Sequence, residues 1–281
     1  MKKILFPTDF SETADRAFVY ALNLAKKIGA SISTLHVWQP VAMADSYSSL
    51  PYDQIYEMLD LANFENFKDE IPHLRKLASK HGLEDVEVNH ILESGLTEST
   101  IIEVANKEAV DLIVMGTQGA SGLKEIFVGS VTGEVMENAH CPVVGVPFKG
   151  SFGASIQDIV FTVSFEEEEA QALKKVLDFA NVFGSQVHCL HVDVSHTHDL
   201  TQGMNAWKER FADNKNIQFE VIDGTSVVNS VLSYVEKNDI DMVAMLTHKR
   251  SFFQELFTLS YTKKLAYHAH KPLLALQAKN L

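Results

Sequence analysis

The chain is poor in cysteine, in positive charge and in long apolar runs. Its 281 residues include two cysteines, and 24 Lys and Arg stand against 37 Asp and Glu, which gives a net charge of −13. Two cysteines without CxxC spacing, Cys141 and Cys189, exclude a disulfide framework and favour a reducing, cytoplasmic setting. The acidic balance argues against a protein that binds nucleic acid or an anionic membrane through a broad basic surface. No run approaches the ~18 apolar residues of a membrane span, and the N-terminal residues do not resemble a signal peptide.

Most of the chain consists of one unit that occurs twice. Residues 1–37 align without gaps on residues 156–192, at an offset of 155. Residues 115–146 align in the same way on residues 245–276, at an offset of 130. The repeat is therefore a whole domain, much longer than the repeats of solenoid proteins.

The length of 281 residues fits two domains of ordinary size. A linker of small residues separates a first domain, residues 1–148, from a second domain, residues 156–281. Because the two offsets differ by 25, the first half carries about 25 additional residues, most of them in a predicted helix at Asp53–His81. For the segment Val41–Ala62, two interpretations stay open, a lid over a pocket or a helix that packs on the partner domain.

Short apolar runs alternate with helical stretches in each half. In the first half we predict strands at 3–7, 31–37, 86–92, 112–115 and 143–146, with helices at 11–28, 53–81, 98–109 and 130–139 between them. This alternation predicts an α/β fold with two tandem open five-stranded parallel-sheet sandwiches. Ligands of such sheets bind beyond the carboxyl ends of the strands.

A glycine-rich segment follows the fourth predicted strand. Gly116, Gly119, Gly129 and Ser130 form a G-x2-G-x9-G-S spacing, and Ser130 opens a helix. Glycines let backbone N–H groups approach an anion, and a helix N-terminus adds free N–H groups and positive dipole character. The hydroxyls of Ser130 and Thr132 add donors. The spacing is neither a P-loop nor G-x-G-x-x-G, and a phosphate site and simple tight turns with Ser130 as an N-cap both stay open.

Together these features resemble the universal stress protein family. The resemblance is carried by the glycine spacing, by Pro7-Thr8-Asp9-Phe10-Ser11 after the first strand, and by Cys141-Pro142-Val143-Val144 near the last. It covers both halves, as in a tandem-domain member. It implies a Rossmann-like, adenine nucleotide alpha hydrolase-like fold and an ATP-binding regulatory module of the stress response.

The resemblance to the ATP-binding branch of that family also implies a set of ligand contacts. Asp9 would contact the nucleoside, the Val37 backbone would meet the adenine edge, and residues 129–132 would hold the phosphates. The implied residues are Pro7, Thr8, Asp9, Val37, Met115, Gly116, Gln118, Gly119, Gly129, Ser130, Val131 and Thr132. Around the second glycine, Gln118 and Ala120 replace the His and Arg frequent in the family, so a charge-assisted phosphate contact is lost. ATP is expected, with ADP and AMP as alternatives, and Mg2+ would be held through the phosphates.

The second half has lost the residues of this predicted site. The replacements are Leu246 for Gly116, Lys249 for Gly119, Leu259 for Gly129 and Ser164 for Asp9. Leucine side chains would fill space that a phosphate needs, and the acidic run Glu166–Glu169 would repel a polyphosphate. We therefore expect one nucleotide per chain. The resemblance implies that the second half instead pairs with the first as an intrachain pseudo-dimer, through strands Val143–Val146 and Leu273–Leu276, and a further homodimer or a protein partner stays open.

Catalytic and metal-binding residues are not assigned. Because no paired carboxylates, Ser/His/Asp set or general base accompanies the glycine segment, a binding module is favoured over two alternatives, a slow ATP hydrolase and a nucleotide-free interaction scaffold. The densest histidine cluster runs from His188 to His198. His188 and His191 would face opposite sides of a strand, which disfavours a zinc or copper site. His36 and His191 share one position of the repeat, which indicates a common packing role.

Overall fold

The two halves of the chain fold on the same plan. A computed structural model describes residues 2–39, 52–117, 130–148, 155–194, 200–247 and 271–278. In the first half the elements are β1 (Lys3–Pro7), α1 (Glu12–Ile28), β2 (Ser31–Trp38), α2 (Tyr52–Lys80), β3 (Val88–Ser94), α3 (Thr97–Lys107), β4 (Leu112–Gly116), α4 (Ser130–Asn138) and β5 (Val143–Val146). In the second half they are β6 (Asp158–Thr162), α5 (Glu167–Phe183), β7 (Gln186–Asp193), α6 (Leu200–Arg210), β8 (Ile217–Asp223), α7 (Val227–Lys237), β9 (Met242–Leu246) and β10 (Leu273–Leu276).

The described strands form a single sheet in the order β3-β2-β1-β4-β5-β10-β9-β6-β7-β8. Neighbouring strands are parallel within each half, whereas β5 and β10 pair antiparallel. The α/β fold with two parallel five-stranded units is therefore confirmed. The expected pairing of Val143–Val146 with Leu273–Leu276 is also present, and it joins the two units into one sheet.

The first helix shows how local sequence sets the element boundaries. The Ser11 side chain accepts a hydrogen bond from the Ala14 N–H at the start of α1, and Gly29 ends the helix with a left-handed φ of 66°. Between these caps, one face of α1 is buried on the sheet. On that face the Phe18 ring lies 5.2 Å from the ring of Phe6 in β1.

Apolar side chains cover both faces of the sheet. One cluster lies on the side of α1, α2, α5 and α6, and a second lies on the side of α3, α4 and α7. Both clusters continue across the β5–β10 pair, so the halves share their core on each side of the sheet. Burial on both faces explains why the strands are nearly continuous apolar runs.

An aspartate fastens the start of the first strand in each half. Asp111 Oδ2 accepts hydrogen bonds from the backbone N–H groups of Lys2 and Lys3, at 2.6 and 3.0 Å. Asp241 does the same in the second half for the N–H groups of Gln157 and its neighbour, at 2.7 and 3.2 Å. The repeat therefore preserves polar anchoring at the amino ends of the strands as well as the apolar core.

Most predicted boundaries differ from the structure by one or two residues, and two of the differences have a clear local cause. The third strand begins at Val88, two residues later than predicted, because Val86 belongs to a turn in which its N–H donates to Leu83 O at 3.2 Å. Helix α3 ends at Lys107 because Ala109 adopts a left-handed φ of 47°, which a continuing helix does not allow.

The segment predicted as a lid or a partner-domain helix is described from residue 52 onward; residues 41–51 lie outside the described residues. Its described part begins α2, where Leu59 is buried against Trp38 and Leu92. Both partners belong to β2 and β3, and β3 is the edge of the sheet that lies farthest from the second half. For the described residues, the prediction that this segment packs on the partner domain is therefore wrong.

Candidate functional site

Three strands of the first half bring the predicted ligand residues to one edge of the sheet. β1 lies between β2 and β4, with Pro7 opposite Leu35 and Leu5 opposite Ile113. Continuing this register sets Met115 level with Pro7. The β1–β2 ladder ends at Pro7 and Leu35, so Val37 lies two residues beyond it. The backbone of Val37 on the side facing β1 is therefore placed beyond the strand pairing, where a ligand edge can approach.

Helix α4 is fastened to the end of β4. The Thr132 hydroxyl donates a hydrogen bond to the Gly116 carbonyl at 2.8 Å, and the Thr132 side chain is buried. Its hydroxyl proton is therefore committed to the protein, and Thr132 can contribute to anion binding only through its backbone N–H. Ser130, at the first position of α4, is exposed. The first N–H groups of α4 have no partner within the helix itself.

The loop from β1 to α1 is held by its own side chains. The Ser11 N–H donates to Asp9 Oδ1 at 3.1 Å, and the Phe10 N–H donates to Thr8 Oγ1 at 3.0 Å. Phe10 adopts a left-handed φ of 58°, a conformation unusual for a bulky side chain. The loop therefore has one defined shape, with Asp9 exposed at its tip and Thr8 buried.

A histidine and two phenylalanines support this loop from below. His36 Nδ1 donates to the Thr8 carbonyl at 2.9 Å, and the His36 ring lies 5.0 Å from Phe10. Phe67 of α2 completes the group, with its ring centroid 6.0 Å from Phe10. These contacts explain how Phe10 is kept in its left-handed conformation next to the candidate site.

The second half repeats this support with a histidine and a phenylalanine at the aligned positions. His191 Nδ1 donates to the Val163 carbonyl at 2.8 Å, and Phe165 has a φ of 62°. The Phe165 ring lies 5.7 Å from His191 and 5.5 Å from Trp207 of α6. The common packing role predicted for His36 and His191 is confirmed. The aromatic partners contributed by α2 and α6 were missed, because they lie where the gapless alignment of the repeat breaks.

The corresponding loop of the second half is closed by a buried glutamate. Glu169 Oε2 accepts the N–H groups of Ser164 and Glu166, at 2.7 and 3.0 Å, and only 3% of the residue is exposed. In the first half the aligned residue is Ala14, which has no polar side chain. In the second half, an internal carboxylate therefore accepts the backbone N–H groups of this loop. Of the four glutamates in the run Glu166–Glu169, Glu169 therefore points inward, and Glu167 pairs with Arg210 at 2.6 Å.

The strand ends of the two halves also differ in bulk. Gly116 of β4 lies opposite Val146, whereas Leu246 of β9 lies opposite Leu276 at the same position of the repeat. Leu246 is buried, with 7% of its surface exposed. The sheet thus accommodates a buried leucine at this register, where the first half has no side chain.

Some predicted residues lie outside the part of the chain that the structure describes. These are Gln118, Gly119 and Gly129 in the first half, and Lys249, Leu259, His196 and His198 in the second half. Of the predicted site, the structure brings together Pro7, Thr8, Asp9, Val37, Met115, Gly116, Ser130, Val131 and Thr132.

The Universal stress protein family model matches residues 1–147 and 155–277. The chain belongs to the universal stress protein family. Two universal stress proteins of Methanocaldococcus jannaschii resemble it. MJ0531 is 34% identical over 145 residues, which are 52% of this chain and 81% of that protein. MJ0577 is 31% identical over 163 residues, which are 53% of this chain and 97% of that protein. Each relative thus corresponds to about half of this tandem chain.

A solved universal stress protein from Archaeoglobus fulgidus matches the fold of the whole chain. Its TM-score is 0.70 at 20% identity, and the match covers 98% of this chain and 96% of that one. This likeness supports the tandem architecture. In the described part of this universal stress protein, no helix is long and apolar enough to span a membrane.

The described part of the histidine cluster in the second half contains a polar network around His188. His188 Nε2 lies 2.8 Å from Asp158 Oδ1, and His188 Nδ1 lies 2.9 Å from the Tyr234 hydroxyl. His191 packs on the opposite face of the strand, as predicted. Over the ranges that the structure describes, no group of three His, Cys, Asp or Glu residues is arranged to hold a metal ion.

Proposed function

We propose that the first half of this universal stress protein binds one adenine nucleotide per chain and that the chain acts as a regulatory binding module. The observation that carries the proposal is the meeting of three features at one sheet edge. These are the Asp9 loop, the side-chain-free Gly116 and the N-terminus of α4. Family membership supplies the class of ligand, and ATP is the first candidate.

The arrangement offers separate groups to each part of a nucleotide. The Asp9 carboxylate, exposed at its loop tip, is a suitable acceptor for ribose hydroxyls. The Val37 backbone beyond the β1–β2 ladder is suited to the edge of an adenine ring. The backbone N–H groups of Ser130, Val131 and Thr132 are suited to phosphate oxygens, because a helix N-terminus favours anions.

The braced Gly116 supports the position of the phosphates. Its carbonyl is turned into the Thr132 hydroxyl at 2.8 Å, which keeps this oxygen away from an incoming phosphate. Binding through backbone N–H groups and a helix end also fits a chain with a net charge of −13, because it requires few basic side chains.

The second half is proposed not to bind nucleotide. Glu169 already accepts two backbone N–H groups of the loop that follows β6, and Leu246 fills the position of Gly116. A polyphosphate there would meet both a buried carboxylate and a leucine side chain. The stoichiometry of one per chain follows from this asymmetry.

Titration of the full chain with ATP, by calorimetry, tests the proposal. A Gly116→Leu variant copies Leu246, and the second half shows that the sheet accepts leucine at this register. We expect this variant to lose measurable binding while its far-ultraviolet spectrum stays unchanged. A Leu246→Ala variant is the matched control, since it alters the same register position in the other half and should bind ATP as the wild type does. Equal affinity of wild type and Gly116→Leu would refute the placement of the ligand.

A further inference from the structure

Helix α4, whose N-terminus lies at the candidate phosphate position, is short and would not be stable on its own. α4 has nine residues, with the sequence SVTGEVMEN. It contains Val131, Thr132, Gly133 and Val135, all weak helix formers, and isolated helices of this length are unstable in water. Its position therefore depends on contacts with the rest of the protein.

Two side-chain contacts hold α4 within the first half, in addition to its packing against α3. At its N-terminal end, α4 is tied to β4 by the bond from the Thr132 hydroxyl to the Gly116 carbonyl. In its last turn, Met136 packs over Gly145 of β5, so closely that a Cβ atom at Gly145 would collide with the Met136 methyl group. These contacts fix α4 to the edge of its own half.

The third contact comes from the second half. Gln277 follows β10, and its side-chain N–H donates to the Met136 carbonyl at 2.9 Å. That carbonyl is one of the last four of α4, which have no partner within the helix. Gln277 is 3% exposed and Met136 is fully buried, so water does not readily replace this bond if it is lost.

The repeat shows that this contact runs in one direction. Gln277 aligns with Pro147, at the same offset of 130 that relates β5 to β10. Proline has no side-chain donor, so the first half cannot return the bond. The half that carries the candidate site receives support for its helix, and the half with the altered site provides it.

We propose that Gln277 is a positioning residue for the nucleotide site. By holding the C-terminal end of α4 through the Met136 carbonyl, it fixes where the N-terminal amides of Ser130–Thr132 point. The second half thus supports a site that it does not itself contain. This inference rests on the proposed nucleotide binding for its affinity readout and on hydrogen exchange for a readout that needs no ligand.

Two substitutions at Gln277 separate its hydrogen bond from its packing. Gln277→Met keeps the length of the side chain and removes the donor. Gln277→Glu keeps the shape, and it can donate only when protonated, which burial beside a carbonyl favours. Leu274→Val is the control, because Leu274 lies in the same strand pair but packs on the face of the sheet opposite to α4.

The experiment measures ATP affinity and amide exchange of the full chain for wild type and all three variants. We expect Gln277→Met to weaken binding about fivefold at every pH and to speed exchange in α4 but not in α1. At pH 8, Gln277→Glu should show the same affinity and exchange as Gln277→Met. At about pH 6 both quantities should approach the wild-type values, as the glutamate carboxyl is protonated and becomes a donor. Leu274→Val should bind like wild type.

The outcomes are distinguishable. If the wild type does not bind nucleotide, the proposed function fails, and the exchange rates of α4 still decide whether Gln277 holds the helix. If Gln277→Met leaves both affinity and α4 exchange unchanged, the positioning role is wrong. Faster exchange spread evenly over α4, β5 and β10, without recovery of Gln277→Glu at low pH, would also overturn it, since this pattern indicates general destabilisation of the strand pair.

Discussion

Val144 of the first half lies directly opposite Leu274 of the second, and the two residues occupy the same position of the repeat. An approximate twofold axis therefore passes between them, so that each half meets the other through the same edge. Because β5 and β10 are antiparallel, the strands of the two halves run in opposite directions, and their carboxyl ends lie on opposite sides of the molecule. The second half thus reaches the candidate site through the strand pair and α4, and not through its own strand-end loops.

We predict that Asp9→Ala weakens ATP binding at least about tenfold, because a hydrogen bond to a carboxylate is lost in the complex. The affinity of Asp9→Asn should lie between the affinities of Asp9→Ala and wild type, since the asparagine side-chain oxygen still accepts the Ser11 N–H while the charge is gone. Calorimetric titration at constant ionic strength measures the change. Ser164→Ala, at the aligned position of the second half, is the control and should bind as the wild type does. Identical affinities for Asp9→Ala and Ser164→Ala would show that Asp9 does not contact the nucleotide.

Glu169→Ala should lower the free energy of unfolding by about 2 kcal/mol, because two backbone N–H groups lose their hydrogen bonds to a buried carboxylate. Glu169→Gln keeps one acceptor oxygen and should cost less. Urea unfolding followed by fluorescence measures both. The number of nucleotides bound per chain should not rise in either variant, because Leu246 still fills the space. Unchanged stability of Glu169→Ala would mean that the carboxylate is not needed to satisfy the loop.

The contribution of Asp111 to stability should depend on pH. Burial raises the pKa of its carboxyl, but the hydrogen bonds from the N–H groups of Lys2 and Lys3 outweigh burial, and the pKa lies below its ordinary value. A carboxyl whose pKa is lowered on folding stabilises the protein above its unfolded-state pKa, and this contribution is lost as the pH falls toward the folded-state pKa.

Asp111→Asn should therefore be less stable than wild type at pH 7, by less than about 1 kcal/mol because the carboxyl is largely exposed to solvent, and the difference should shrink below about pH 4. Urea unfolding of both proteins between pH 7 and pH 3 measures it. A stability difference that stays constant from pH 7 to pH 3 would show that the ionised Asp111 carboxyl does not make this contribution.

Both cysteines should be unreactive in the folded protein. Burial, aided by the charge of Asp111, raises the pKa of the Cys141 thiol to about 12. Burial, with Glu169 as the second cause, also raises the pKa of Cys189. At pH 8 about one Cys141 thiol in ten thousand is then ionised, and the thiolate is the reactive form. A chromogenic disulfide reagent should label neither thiol in buffer and both in urea. Stoichiometric labelling of the native protein would contradict the burial of these side chains.

The fold was predictable because the repeat presents each strand and helix twice. Ser11 and Gly29 marked the ends of α1, and the resemblance to the universal stress protein family indicated how the halves meet. The inward turn of Glu169 was not predictable, since a run of four glutamates at a helix start is typical of a solvated surface. Only the position of α5 over the end of β6 buries one of them.

The contact of Gln277 with α4 was equally hidden from the sequence. Gln277 belongs to no motif, and its partner Met136 lies 141 residues away along the chain. The contact arises only when β5 and β10 pair. Tertiary hydrogen bonds from a single side chain to a distant carbonyl leave no periodic pattern in the sequence.

The central claim is one nucleotide site per chain, in the first half. The most direct test is native mass spectrometry of the full chain equilibrated with ATP, which counts bound nucleotides on each molecule. We predict a single bound adenine nucleotide at saturation for the wild type, the same for Leu246→Ala, and none for Gly116→Leu. No bound nucleotide on the wild type, or two on each chain, would contradict the account.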